Sequence, residues 1–238
     1  MELPTVNTQT PMPQRVSDPD RIDTEGEPWI TIQGEGPFAG QPAVFVRLYG
    51  CNLKCKSCDT TYTSDLREVS VRSLVERILP LAQTLKKRRL VVITGGEPFR
   101  QPLKELLVKL VGEALRVQIE TNGSLWDTDF PKWLDGMVSI VVSPKLEVRP
   151  EVWQYARYAK YVLKHGKVAA ADGLPTEVLG YKVAPDRPPA GWLGQIFVQP
   201  EDDQDPEQNA LNQAAAVRSA LTFGYTLSLQ LHKQLGLP

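Results

Sequence analysis

The sequence lacks any apolar run long enough to span a membrane. Its longest apolar stretches, such as Leu90–Ile93 and Ile140–Val142, fall far below the roughly 18 residues that a spanning helix needs. The first twenty residues contain acids and no apolar core, so we expect neither a signal peptide nor a transit peptide. With 27 basic and 28 acidic side chains, the formal net charge is −1 and gives no basic footprint. We therefore expect a cytoplasmic protein that binds neither nucleic acid nor membrane.

Cysteine is scarce, and its placement is informative. The chain has three cysteines, Cys51, Cys55 and Cys58, all within the stretch CNLKCKSC. Three thiols this close in sequence cannot form a disulfide framework, and in a reducing cytosol such a cluster is typical of a metal site or a redox device. Cysteines that are merely buried apolar residues would be scattered on apolar faces, whereas this stretch is polar. The cysteines therefore predict a chemical site.

Periodicity predicts an α/β fold with a parallel sheet. Most apolar runs are apolar at consecutive positions, as expected of parallel strands that are covered on both faces. The predicted strands are Ala43–Tyr49, Leu90–Thr94, Val117–Thr121, Val138–Ser143, Ala159–Lys164, Gln195–Gln199 and Tyr225–Gln230. The predicted helices are Val71–Lys87, in which Pro80 is expected to cause a kink, Leu103–Leu115 and Pro206–Phe223.

The chain is expected to form one core domain over residues 28–238. Residues 1–27 have no hydrophobic period, which predicts a flexible amino-terminal extension. Residues 165–193 are rich in proline and glycine, which predicts an irregular insertion. Strand–helix alternation implies right-handed crossovers, and it leaves open whether the sheet is open or curled into a barrel that lacks some outer helices.

Polar turns follow six of the seven predicted strands. Because the carboxyl ends of parallel strands share one face of the sheet, we expect these turns to form one site. Their sequences are GCNLKCKSCDTTYT, TGGEP, ETNG, SPK, QPEDD and QLHK.

Three thiolates without a fourth cysteine suit an iron–sulfur cube with one open iron, because such clusters usually take four thiolates. A structural zinc ion needs a fourth ligand, and the two histidines, His165 and His232, lie more than 100 residues from the cysteines. A redox pair formed by Cys55 and Cys58 leaves Cys51 unexplained. The cluster is the favoured interpretation of the three.

The motif Cys51-x3-Cys55-x2-Cys58 directly follows the first predicted parallel strand, and Thr94-Gly-Gly-Glu-Pro98 follows the second. These two motifs, in this order, resemble those of the radical S-adenosylmethionine (SAM) enzymes. The resemblance implies a partial (incomplete) TIM-type parallel β/α barrel with reduced outer helices, a [4Fe–4S] cluster and SAM. It also implies that a 5′-deoxyadenosyl radical, rather than a protein side chain, performs the hydrogen abstraction.

Further motifs narrow the resemblance. They are Thr31-Ile-Gln-Gly-Glu-Gly36, Arg47, Cys58-Asp-Thr60, Glu120-Thr-Asn-Gly123, Ser143-Pro-Lys145, Gln199-Pro-Glu-Asp202 and the terminal His232-Lys to Gly-Leu-Pro238. In this order, over about residues 30–238, they resemble the 7-carboxy-7-deazaguanine synthase family of queuosine biosynthesis. That family converts 6-carboxy-5,6,7,8-tetrahydropterin with loss of ammonia, assisted by Mg²⁺, and regenerates SAM.

The resemblance also implies roles for individual residues. Cys51, Cys55 and Cys58 would hold the cluster, and Thr60 would bind Mg²⁺, a cation that prefers oxygen ligands. The expected SAM-binding residues are Ser57, Cys58, Asp59, Gly96, Glu97, Ser143, Lys145 and Gln199. The expected substrate-binding residues are Ile32, Gln33, Gly34, Glu35, Arg47, Thr94 and Pro238. The implied partners are an electron donor of the flavodoxin or ferredoxin type and a second copy of the chain in a homodimer.

Residue chemistry supports part of this assignment on its own. Arg47 can pair with a carboxylate in forked geometry, and Gln33 and Glu35 offer acceptors to an aminopyrimidine edge. Two alternatives remain. A glycyl-radical-activating enzyme shares the cysteine loop but acts on a protein, and a zinc-stabilised binding module would have no catalytic role.

Overall fold

The structure, a computed structural model, describes residues 7–15, 18–87 and 89–237. Its strands are β1 (Arg21–Glu25), β2 (Trp29–Ile32), β3 (Pro42–Leu48), β4 (Leu66–Ser70), β5 (Leu90–Gly95), β6 (Arg116–Thr121), β7 (Val138–Val142), β8 (Tyr158–Leu163), β9 (Gln195–Pro200) and β10 (Thr226–Leu227). Its α-helices are α1 (Val71–Thr84), α2 (Lys104–Gly112), α3 (Pro150–Tyr155), α4 (Pro206–Phe223) and α5 (Leu231–Gln234). None of these helices is both long enough and apolar enough to cross a membrane.

The strands form one mixed sheet in the order β10-β9-β8-β7-β6-β5-β3-β1-β4, with β2 also paired to β3. From β3 to β10 along this order, neighbouring strands are parallel, and β1, β2 and β4 pair antiparallel. The sheet does not close, because β10 and β4 lie at opposite ends. The predicted α/β class and incomplete parallel barrel are confirmed.

Strand register brings the functional turns together. Arg47 of β3 pairs with Thr94 of β5, so the cysteine loop and the TGGEP turn leave the sheet side by side. Thr121, at the end of β6, pairs with Val142 at the end of β7. The turns after four consecutive parallel strands therefore open onto the same edge of the sheet.

Helix α1 covers part of the sheet with an apolar face. Leu74, Ile78 and Ala82 are fully buried at helical spacing, and the hydroxyl of Ser70 caps the helix by accepting the Ser73 N–H at 3.1 Å. Pro80 lies inside the helix on its exposed side. Its missing N–H therefore leaves a carbonyl that water can reach, and the helix continues to Thr84 rather than to the predicted Lys87.

The structure differs from the sequence prediction at the amino-terminal end and at the antiparallel strands. Arg21–Glu25, expected to belong to a flexible extension, forms β1 and pairs with β4 across its whole length. Strands β2 and β4 were not predicted. Residues 165–193 contain no helix or strand, only isolated bridges such as Val178 with Tyr181, and they lie against the cysteine loop.

Candidate active site

A cavity at the carboxyl ends of the parallel strands collects side chains from most of the predicted turns. The space between its walls is about 950 Å³ when open solvent at its mouth is included. Its lining includes Glu35, Cys51, Leu53, Cys55, Ser57, Cys58, Asp59, Thr60, Tyr62, Gly95, Gly96, Glu120, Thr121, Asn122, Ser143, Lys145, Lys160, Val162, Leu179, Gln199, Pro200, Asp202 and Gln230.

All three cysteines line this cavity. Burial raises the pKa of the Cys51 thiol to about 12 and that of Cys58 to about 11, and it also raises the pKa of Cys55. The neighbouring cysteines raise the pKa of Cys51 further, because thiolates close together repel one another. Without a cation the thiols are therefore protonated at neutral pH, and binding of iron would release their protons.

The donor set fits a cluster better than a single metal ion. Among the described residues, no three His, Cys, Asp or Glu side chains form a group that could hold one ion. A cubane cluster makes a different demand, because each thiolate binds a different iron atom. The sulfur of Cys51 also accepts the Leu53 N–H at 3.4 Å and faces the Asn122 amide at 3.9 Å. Hydrogen bonds to cysteine sulfur tune the potential of such clusters.

Two glycines let the TGGEP turn approach the cysteine loop. A Cβ on Gly96 would lie 1.9 Å from the carbonyl oxygen of Gly50, the residue before Cys51. A Cβ on Gly95, whose φ is +132°, would lie 2.2 Å from the carbonyl oxygen of Leu48. Only glycine fits at such distances, so the glycines fix the wall of the cavity beside the cysteines.

Glu97, predicted to bind SAM, is not among the described residues that line the cavity. Its side chain is fully buried, and the Oε1 atom accepts the Thr121 hydroxyl at 2.6 Å and the Phe99 N–H at 3.0 Å. Its other oxygen accepts the Asn122 N–H at 2.7 Å. Burial raises the pKa of Glu97 to about 7. The carboxylate therefore joins the turn after β5 to the turn after β6.

The other residues predicted to bind SAM, from the cysteine loop and the turns after β5, β7 and β9, line the cavity together. They are Ser57, Cys58, Asp59, Gly96, Ser143, Lys145 and Gln199. The Lys145 ammonium donates to the carbonyl of Ser143 at 2.8 Å and to its hydroxyl at 2.6 Å. Burial lowers the pKa of Lys145. This part of the cavity thus combines a fixed ammonium group with carbonyl, hydroxyl and amide groups.

A buried ion pair lies on another part of the lining. Glu35 pairs with Lys160, and the two side chains are 11% and 10% exposed. The amides of Gln230 and Gln199 also donate to Glu35, at 2.7 and 3.2 Å. Burial is the largest influence and raises the pKa of Glu35, but the Lys160 charge and the hydrogen bonds from Lys160 and Gln230 together outweigh it, so the net pKa is lowered. The carboxylate is therefore kept ionised in the cavity.

Glu120, at the end of β6, connects several of the predicted substrate residues. It accepts hydrogen bonds from the Gln33 amide at 2.8 Å and the Thr94 hydroxyl at 3.2 Å. Arg47 pairs with Thr94 across β3 and β5. Burial lowers the pKa of Arg47, and the charges of Asp59 and Glu120 oppose that shift. The Arg47 guanidinium lies over the Trp29 ring at 5.1 Å, and its buried Nε has no hydrogen-bond partner among the described residues. An unpaired buried donor suits an anionic ligand.

The remaining predicted residues are placed as follows. Ile32 ends β2 opposite Pro42. A Cβ on Gly34 would lie 2.0 Å from Nδ1 of His232, so glycine permits close packing of the carboxyl-terminal segment. The Thr60 hydroxyl donates to Asp59 at 3.4 Å. Pro238 lies outside the described residues.

The sequence analysis assigned no individual role to several residues of the cavity, which are Lys160, Leu179 and, from the predicted turns, Glu120, Asn122 and Gln230. The sequence could have indicated Lys160 as a site residue, because it interrupts the apolar run YAKYVL of β8. A lysine in such a run is buried and needs a partner. Leu179 carried no such signal, since it lies in the irregular 165–193 segment and its φ is +46°.

Comparisons with known proteins agree with this geometry. The family model for the radical SAM superfamily matches residues 45–145. A 7-carboxy-7-deazaguanine synthase from Rhodospirillum rubrum is 42% identical over 91% of this chain and 95% of that protein. One from Rickettsia prowazekii is 36% identical over 87% of this chain and 85% of that protein. The crystal structure of QueE from Escherichia coli matches with a TM-score of 0.65 at 24% identity, covering 88% of this chain and 94% of that one, which supports the fold.

Proposed function

The chain belongs to the 7-carboxy-7-deazaguanine synthase family of the radical SAM superfamily, and from this we propose that it converts 6-carboxy-5,6,7,8-tetrahydropterin into 7-carboxy-7-deazaguanine with loss of ammonia. The observation that carries the proposal is a single cavity lined both by the three cysteines and by a buried Glu35–Lys160 pair. The glycyl-radical-activating and zinc-module alternatives are not carried further, since the relatives belong to neither class.

Radical SAM enzymes use a [4Fe–4S] cluster and SAM, and when bound these groups supply the one-electron reduction and the 5′-deoxyadenosyl radical that removes a hydrogen atom from the substrate. Cys51, Cys55 and Cys58 would hold the cluster as thiolates, with the Leu53 N–H directed at the Cys51 sulfur. Gly96 keeps the neighbouring turn close to this loop.

The residues around Lys145 would hold SAM. The Lys145 ammonium is suited to a carboxylate, and the Ser143 carbonyl and hydroxyl hold that ammonium in place. Ser57, Asp59, Gly96 and Gln199 complete this part of the lining. The Glu97 carboxylate holds the turn that carries Asn122, and its contact with SAM stays a prediction from the family motif.

The part of the cavity around Glu35 would hold the pterin. Glu35 is an ionised acceptor suited to the aminopyrimidine edge, and Gln33 and Thr94 are fixed beside it by Glu120. A substrate carboxylate needs a cation, and Arg47 offers a guanidinium whose Nε is free to donate. Hydrogen bonds to these groups would fix the orientation of the ring.

Three further parts of the proposal rest on the family resemblance. Mg²⁺ would bind the Thr60 hydroxyl beside the Asp59 carboxylate, oxygen ligands of the kind that this ion takes, with substrate and water completing its shell. The electron would come from a flavodoxin or ferredoxin type of protein. The enzyme would act as a homodimer.

The direct test is turnover by purified protein reconstituted anaerobically with iron and sulfide. The protein is incubated with SAM, a reductant, Mg²⁺ and 6-carboxytetrahydropterin, and products are identified by ultraviolet absorption and mass. We expect 7-carboxy-7-deazaguanine, with SAM recovered rather than consumed. Cleavage of SAM without a deazapurine product would refute the substrate assignment, and a colourless protein that takes up one zinc ion would refute the radical chemistry.

A further inference from the structure

The amino-terminal residues 7–15, here called the strap, run across the back of the cysteine loop. The loop itself, residues 50–65, contains no helix or strand. Its backbone carbonyls and N–H groups must therefore find partners elsewhere, because buried backbone polar groups are rarely left unpaired. The strap supplies many of these partners.

Backbone and side-chain groups of the strap bind carbonyls throughout the loop. The Asn7 N–H donates to the Lys56 carbonyl at 2.9 Å, and the Met12 N–H donates to the Cys51 carbonyl at 2.7 Å. The Asn7 side-chain amide donates to the Cys55 carbonyl at 3.0 Å. Two of the three cysteines are thus hydrogen-bonded to the strap through their own backbone.

Gln9 extends these contacts beyond the third cysteine. Its amide nitrogen donates to the Thr60 carbonyl at 2.9 Å, and its amide oxygen accepts the Tyr62 N–H at 2.7 Å and the Thr63 hydroxyl at 3.0 Å. Asn7 in turn accepts the Gln9 N–H at 2.9 Å, which joins the two side chains into one network. Asn7 is 5% exposed and Gln9 is partly buried, so the Asn7 end of this network is shielded from water.

The loop is also held from its other side. The Lys56 N–H donates to the Leu179 carbonyl at 2.8 Å, and the Lys54 N–H donates to the Tyr181 hydroxyl at 3.0 Å. The strap and residues 179–181 therefore enclose a segment that has no regular structure of its own.

We infer that Asn7 and Gln9 are positioning residues that preset the cysteine loop for the iron–sulfur cluster, an inference that rests on the proposed function. Ordering a free loop of this length when the cluster binds would cost conformational entropy at each residue. A loop whose carbonyls are already bonded avoids much of that cost. The same network keeps the three thiols on the cavity side of the loop.

The test uses the full-length protein with single substitutions Asn7→Ala and Gln9→Ala. The control is Gln154→Ala, which removes an exposed side-chain amide on α3. Each protein is reconstituted anaerobically, and the rate of iron release to a ferrous chelator is measured together with the low-temperature EPR spectrum of the reduced cluster. We expect release to be about tenfold faster in both strap variants, equivalent to about 1.4 kcal/mol, and the EPR signal to be broadened. The control should match the unaltered protein.

A general loss of fold is separated from loop positioning by two further measurements. First, the thermal unfolding midpoint of each metal-free variant is compared with that of the unaltered metal-free protein. Second, the variant Gln9→Glu is added, because its side chain still accepts from the Tyr62 N–H but no longer donates to the Thr60 carbonyl. Faster iron release in Gln9→Glu at an unchanged unfolding midpoint supports the inference. The inference is overturned if the strap variants release iron at the rate of the unaltered protein and give the same EPR spectrum. It is also overturned if iron release is faster only in variants whose unfolding midpoint is lowered. Absence of a cluster from the unaltered protein would instead refute the proposed function, and this inference with it.

Discussion

Replacing Lys160 by methionine removes one partner of the buried Glu35–Lys160 pair while keeping a long side chain in the cavity. The two side chains are 11% and 10% exposed. Removing one partner of a buried pair costs about 3–5 kcal/mol, because the other charge stays buried without compensation. Gln199 and Gln230 still donate to Glu35 in the variant. We therefore expect the lower end of that range, about 3 kcal/mol lost from the free energy of unfolding at pH 7.5.

The sign of the pH dependence separates this cause from a packing defect. In the unaltered protein the pKa of Glu35 is lowered from 4.5: burial and the Asp59 charge raise it, but Lys160 and hydrogen bonds outweigh both. Its contribution to stability is therefore present above pH 4.5 and lost as the pH falls through the lowered folded value. Without Lys160, burial raises the pKa of Glu35 above 4.5, and protonation relieves the buried charge. The deficit of the variant should then shrink as the pH falls from 7.5 to 5.5.

Urea unfolding of the metal-free proteins at both pH values measures these quantities. The double variant Lys160→Met/Glu35→Gln leaves no buried charge at the pair, so it should be more stable than Lys160→Met alone at pH 7.5. A deficit of the same size at both pH values, or single-variant losses that simply add in the double variant, would refute the ion-pair reasoning.

Three other substitutions test the rest of the site. Cys55→Ala should abolish both cluster retention and activity, measured as iron and sulfide per chain, because two thiolates remain. Arg47→Ala should keep the cluster and SAM cleavage while weakening substrate binding by about 2–5 kcal/mol, read from KM or a direct titration; an unchanged KM removes Arg47 from the site. Gly96→Ala should destabilise the protein by more than about 3 kcal/mol in thermal unfolding, since its Cβ would lie 1.9 Å from the Gly50 carbonyl. Gly112→Ala, whose Cβ meets nothing within 4 Å, is the matched control and should not destabilise.

The parallel strands of the sheet could be predicted from the sequence because they are buried on both faces. Runs such as LVVITG of β5 and VSIVV of β7 are nearly continuous in apolar residues. The antiparallel strands gave no such signal. β1 reads RIDTE and β4 reads LREVS, and both depend on pairing with each other rather than on their own composition.

Site residues could be predicted from the sequence where a motif specifies the residue type, but not where their role depends only on where the fold places them. The three cysteines, Lys145 and Gln199 line the cavity as expected. A carboxylate next to glycines suggests a ligand contact for Glu97, and only the structure shows that its oxygens are bonded to Thr121, Phe99 and Asn122. The strap was missed for a related reason, since its short polar side chains bind carbonyls and carry no hydrophobic period.

The most direct test of the account is the EPR spectrum of the reconstituted, chemically reduced protein with and without SAM. If three thiolates hold the cluster and leave one iron open, the protein gives an iron–sulfur signal whose g values shift when SAM is added. A protein without such a signal, or with a signal that SAM leaves unchanged, would contradict the account.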